Sequence, residues 1–216
     1  MDEKVRYVIK DREQSPQAEA YRSLCNSIRD EGTFGKIQSV LFASASPGDG
    51  GAMTAVNSAA ALAYAGKKVI LVDCDLRFPI VGDGFGLENI GLTNLVQDEV
   101  SPEDILQDTW IPNLRVVASG PIPIGPITAL SNHKIRALLE SLRTLADVIV
   151  LTSSPILFER EYVISDACVL ASKVDGVILV IDSRTIKPKE AQKVVELLKG
   201  AKANMIGTVL NDVTDY

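Results

Sequence analysis

Apolar positions along this chain follow two alternating periods. Continuous aliphatic and β-branched runs at Ser39–Ala43, Val69–Asp73, Asn113–Ser119, Val148–Leu151, Gly176–Ile181 and Met205–Leu210 read as buried strands. Between them apolar residues recur three and four apart, which predicts helices at about 52–64, 128–145, 163–173 and 187–198. In the last of these, Ala191, Val194, Val195 and Leu198 share one face and Gly200 stops the helix. Short helical pieces are expected around Leu92–Gln97 and Pro102–Gln107, inside a loop-rich stretch from 79 to 112. Ahead of the first buried strand, Val5–Ile9 is strand-like, and Ser15-Pro16 reads as a helix cap with proline at the first helical position. Ala18, Tyr21, Leu24, Cys25 and Ile28 then keep helical spacing, so that helix should pack one face on the body.

Strands alternating with helices in this way predict an α/β fold with a mostly parallel central sheet flanked by helices, joined by right-handed crossovers. The 216 residues are expected to form one domain, with 1–35 as an N-terminal segment and helix and 36–216 as the core. A composition of 46% hydrophobic and 23% charged residues fits a folded globular chain. The net charge of −6 argues against a nucleic-acid partner. Cys25, Cys74 and Cys168 are far apart and form no C-x-x-C pair, which predicts reduced thiols in a cytoplasmic protein. No apolar run reaches the roughly 18 residues of a spanning helix. The acidic start Met1-Asp2-Glu3 does not read as a signal peptide, so a place at the inner membrane face would need a partner.

The chemistry concentrates in Val40–Thr54, where an apolar run enters a loop with Gly48, Gly50 and Gly51 and then an Ala-rich helix. Strand, glycine loop and helix make a phosphate cradle, because loop amides and the helix N-terminus point at one spot. Gly48, Asp49, Gly50, Gly51, Ala52, Met53 and Thr54 are therefore the candidate nucleotide-binding residues of the loop. A working loop of this type puts Lys and then Ser or Thr directly after its last glycine, to hold the β/γ-phosphates and Mg²⁺. Gly51 and Ala52 occupy those places here. Asp73 and Asp75 lie where the second strand runs out, the end at which open parallel sheets bind ligands. Loop capping is the other reading of the two carboxylates. Glu19 and Arg22, three apart, lie side by side on a helix surface. His133 is expected at a helix start on the surface, and Trp110 as a packing residue.

The segments SPQAEAYRSLCNSIR, ASASPGDGG, GKKVILVDCDLRFP, FGLENIGLTNLV, IPNLRVVASGPIPIGP, DGVILVID and GTVLND resemble, in this order, the bacterial tyrosine kinases of capsule and exopolysaccharide export. They cover residues from about 15 to 212, and the resemblance implies a three-layer P-loop NTPase-like fold. It also implies that Asp73 and Asp75 organise Mg²⁺ and the transferred phosphate, with Asp73 as the metal-side residue. Asn211 stands for the residue that contacts adenine, and Arg77 for a basic residue whose usual basic neighbour is here Phe78. Glu19 and Arg22 match the first two positions of the ring-forming E-x-x-R-x-x-R helix, whose last Arg is replaced by Cys25. Three site positions depart from the family: Gly51 for Lys, Ala52 for Ser or Thr, and Thr152 for the second acidic strand end. The family's C-terminal tyrosine cluster is represented only by Tyr216.

Phosphoryl transfer rests on positioning and charge neutralisation, and one missing cation typically costs about 10²–10⁵ in rate. The residues leave two readings open. One is an inactive, kinase-like regulatory or scaffolding partner of a membrane co-polymerase, binding no nucleotide or only weak ATP or ADP with Mg²⁺. The other is a weakly active tyrosine autokinase or ATPase switch with a non-standard loop. Homo-oligomerisation is expected to follow the family only if the incomplete ring helix suffices.

Overall fold

The computed structural model describes residues 15–29, 37–97, 100–123, 125–158 and 165–211, and the buried runs of the sequence become its strands. The first elements are α1 (Pro16–Arg29), β1 (Ser39–Ser44), α2 (Gly51–Tyr64), β2 (Val69–Val72), α3 (Val81–Phe85) and α4 (Leu92–Val96). They are followed by β3 (Leu106–Asp108), β4 (Leu114–Val117), α5 (Pro126–Ser131), α6 (His133–Leu142) and β5 (Val148–Leu151). The last are α7 (Asp166–Ala171), β6 (Gly176–Asp182), α8 (Pro188–Gly200) and β7 (Met205–Asn211). Among the described residues these strands make one seven-stranded sheet in the order β3-β4-β2-β5-β1-β6-β7. Every pairing is parallel except the edge pair β3–β4.

Each buried strand feeds two cores, because successive side chains leave opposite faces of the sheet. Val40 and Phe42 of β1 join Ala18, Cys25 and Ile28 of α1 and the Ala-rich α2. Leu41 and Ala43 join the other layer, with Leu138 and Leu142 of α6, Leu170 of α7 and Val194 and Leu198 of α8. Ser15 caps α1 by accepting the Ala18 N–H at 3.1 Å. At the amino ends of the strands, Arg143 grips Asp175 through bonds of 2.7 and 2.9 Å and reaches the Ser39 hydroxyl at 3.0 Å.

Three expectations need correction. Pro102–Gln107 is not a helical piece: a Ser101–Asp104 turn leads into strand β3, whose Leu106 lies opposite Val117. The open edge of β4 overrides weak local helix preference, and Gln107 fastens the strand by donating to the Glu88 and Ile90 carbonyls. The single helix expected at 128–145 is two helices. Asn132 takes an extended backbone and its carboxamide oxygen caps Lys134 N–H at 2.9 Å, a local bond that competes with helix continuation. Of the helix expected from Val163 to Lys173, positions 163–164 lie outside the described residues; the described part is the helix Asp166–Ala171, which Ser165 caps by accepting Cys168 N–H at 3.2 Å. The strand-like Val5–Ile9 lies outside the described residues. His133 begins α6 on the surface. Trp110 is 43% exposed, with its ring 6.0 Å from that of Phe85.

Candidate functional site

The loop between β1 and α2 turns on Gly48 (φ +90°) and Gly50 (φ +79°), conformations in which an L side chain is strained. Asp49, fully buried, braces it: one carboxylate oxygen accepts Ser46 N–H at 2.6 Å and the other the Thr185 hydroxyl at 3.3 Å. Burial pushes the Asp49 carboxyl up, against the bonds from Ser46, Asp182 and Thr185. Asn211, at the end of β7, donates its amide to the Asp49 carbonyl at 3.1 Å. A Cβ on Gly50 would run into that same amide.

Gly51 opens α2 directly under β1. A Cβ there would run into the Ser44 hydroxyl, and would also lie 3.2 Å from Ser44 Cβ and 3.3 Å from its backbone nitrogen. Thr54 is tied to the Gly50 carbonyl by its hydroxyl at 2.8 Å, and the half-buried Tyr21 of α1 bonds Thr54. Ala52 and Met53 are half-buried. A cleft of about 420 Å³ lies beside this region, lined by Tyr21, Leu24, Thr54, Leu210 and Asn211 among others.

At the carboxyl end of β2, Asp73 is fully buried and its carboxylate accepts three internal hydrogen bonds. One oxygen accepts the Thr152 hydroxyl at 2.7 Å and Asp75 N–H at 3.2 Å, and the other accepts Val81 N–H at 3.1 Å. Burial pushes this carboxyl up to about 6, with the Thr152 and Val81 bonds opposing. Thr152 also accepts Cys74 N–H at 3.1 Å, so one hydroxyl ties the end of β5 to the end of β2. Asp75 accepts Arg77 and Phe78 N–H at 3.2 and 3.1 Å, which makes it the cap of its own turn. That is the capping role weighed for these acids.

Sequence reasoning missed Ser154 and Asp166. Ser154 Oγ lies 2.7 Å from Asp75 and 2.9 Å from Asp166, and its single proton can be donated to only one of them. Asp166 is 1% exposed and holds Arg77 Nε at 3.1 Å, while its other oxygen is buried without a partner among the described residues. Ser165-Asp166 at the head of α7 reads in sequence as an ordinary helix cap, and nothing local signals a partner 89 positions away. Phe78 is 53% exposed and its ring sits 4.9 Å from that of Phe158, so the place beside Arg77 is an aromatic lip.

The sheet thus brings the glycine loop, Asp73, Asp75, Thr152 and Asn211 to the carboxyl ends of β1, β2, β5 and β7. The segment after β5 is stitched to the loop entrance, with Ile156 and Leu157 N–H donating to the Ser44 and Ala45 carbonyls at 2.9 Å. Glu19 and Arg22 are elsewhere, paired at 2.5 Å on the outer face of α1 with side chains 70% and 41% exposed.

No family model matches the chain. Individual relatives do. The Bacillus subtilis tyrosine-protein kinase YwqD is 35% identical over 198 residues, covering 91% of this chain and 81% of the relative. The crystal structure of the chimerical protein CapA2B2 superposes with a TM-score of 0.87 at 28% identity, covering 97% of this chain and 90% of that one. The kinase domain of the Escherichia coli tyrosine kinase ETK shares the fold with a TM-score of 0.90 at 24% identity, over 100% of this chain and 83% of its own.

Proposed function

The chain belongs to the bacterial tyrosine-kinase family, and on that premise we propose that it is a kinase-like domain whose own phosphoryl-transfer chemistry has been lost. It serves as a regulatory or scaffolding partner of a membrane co-polymerase in capsule or exopolysaccharide export. One observation carries this reading. The places that would handle charge and metal are taken up from within the chain: Ser44 occupies the space beside Gly51, and Thr152 donates to Asp73.

Several groups support it together. The loop holds no fixed cation after Gly50, since Gly51 and Ala52 follow. Arg77, the remaining local basic residue of the motif, is committed to buried Asp166. The residues present do not fit an Mg²⁺ site of the family type, because Ala52 has no hydroxyl and the Asp73 oxygens already accept three bonds. Among the described residues no helix is long and apolar enough to cross a membrane.

The rival reading, a weakly active autokinase, draws on the retained amide cradle at Gly48 and Gly50 and its anchor to Asn211. Calorimetric titration with Mg-ATP separates the two. The proposal expects a dissociation constant of about 1 mM or weaker and no label on tyrosine after incubation with labelled ATP and the co-polymerase. Micromolar affinity with stoichiometric phosphotyrosine would overturn it.

A further inference from the structure

The outer surface of α8 carries charge opposite to that of the rest of the molecule. From residue 182 to 202 stand Arg184, Lys187, Lys189, Lys193, Lys199 and Lys202 against Asp182, Glu190 and Glu196, a surplus of three positive charges. The whole chain carries −6, so everything outside this stretch carries −9. All six basic residues are exposed. Val194 and Leu198 are fully buried against the sheet layer, which turns Lys189 and Lys193, four apart, to the outer face. Leu197 continues that row and is 41% exposed, an apolar side chain set among lysines. The two glutamates have local bonds: Glu190 accepts Lys187 N–H at 3.0 Å, and Glu196 accepts the Gln192 amide at 3.2 Å. Arg184 is paired with Asp182 at 2.9 Å, so the surplus on the helix face belongs to lysines.

We propose that this face of α8 docks the domain directly on an anionic lipid surface, without help from a protein partner. Lysine ammonium groups on long stems suit the diffuse charge of many headgroups, whereas recognition of one phosphate or carboxylate favours the arginine fork. The exposed Leu197 adds contact with the acyl boundary that a hydrated polyanion would not use. The negative remainder is repelled by the same surface, which fixes the orientation with α8 toward the lipid. This contact is independent of whether the site binds nucleotide.

The test is co-sedimentation of the full chain with vesicles of phosphatidylcholine alone or with phosphatidylglycerol added, in about 50 mM and about 500 mM NaCl. Binding is expected only with phosphatidylglycerol and is lost at high salt. Each lysine contributes about fivefold to partitioning, so Lys189→Glu/Lys193→Glu/Lys199→Glu lowers it by about a hundredfold or more. Circular dichroism confirms the fold of that variant, and the matching Lys→Gln set carries the test if the reversals unfold it. Leu197→Ser is expected to lower partitioning by about three- to tenfold, the cost of one small buried apolar contact. Equal binding to both vesicles, full binding by the lysine variants, or preferential retention on an anionic polysaccharide would each overturn the proposal.

Discussion

Replacing Thr152 by Asp restores the acid of the family pattern and tests whether the buried end of β2 is organised around a hydroxyl. In the native chain Asp73 is an acid whose folded value, about 6, lies above its ordinary 3.8. A carboxyl raised in this way is stabilising only where it is protonated. Its contribution is whole below about 4 and is lost as pH rises through about 6, a loss of about 3 kcal/mol from a shift of roughly two units. Thr152 moderates that loss with its 2.7 Å bond. Thr152→Asp removes a charge-assisted bond of about 1.5–3 kcal/mol. It also adds a second carboxylate, repelling the first by about 4 kcal/mol at about 4 Å and an effective dielectric of about 20. Uptake of a proton by the pair caps the combined cost at about 3–4 kcal/mol near pH 8. For a chain of this length that is about 6–15 °C in Tm. Thermal unfolding followed by circular dichroism in EDTA measures it. The variant should recover as pH falls toward about 5, where the acids share protons, and with millimolar Mg²⁺, while the native chain does not respond to the metal. A variant that melts within about 2 °C of the native chain in EDTA near pH 8 would refute the reasoning.

Two further changes probe the loop and the opposite end of the sheet. Gly51→Ala should cost about 1–2 kcal/mol by crowding Ser44, and most of that loss should disappear in a Ser44→Ala background; urea unfolding of the four members of the cycle reads the coupling. Arg143→Ala should cost about 2–3 kcal/mol in the same assay. It also shifts acid unfolding: partial burial works against ionisation of Asp175, but bonds from Arg143, Ser39 and Gln38 hold it at about 2. A depressed carboxyl stabilises above its ordinary value of 3.8 and stops doing so as pH falls through about 2, so the variant should unfold at higher pH than the native chain.

Strands β1, β2, β5 and β6 were legible because each is a short apolar run buried throughout, with both faces covered. Element boundaries set by one side chain were not. Asn132 splits a helix that periodicity alone would continue, and β3 exists because an open strand edge lies next to a segment of weak preference. At the site, glycines and strand-end acids announce themselves by position, and the structure places them together. What Ser44, Ser154 and Asp166 do was hidden, because each acts through a partner distant in sequence, and a buried serine looks the same in sequence as an exposed one.

The placement of β5 between β1 and β2 has a consequence for synthesis. The unit β1-α2-β2 emerges first, yet its two strands are not neighbours; Ser39 and Val69 face Ile149 and Val148 across a lane that β5 must fill. Val148 follows Val72 by 76 positions, so the lane stays open for about 4–15 s at ordinary translation rates. During that interval the inner backbone edges of two apolar strands are available to any strand of another nascent chain. The gap that brings Thr152 beside Asp73 in the finished fold is also where the unfinished chain is most open to mispairing.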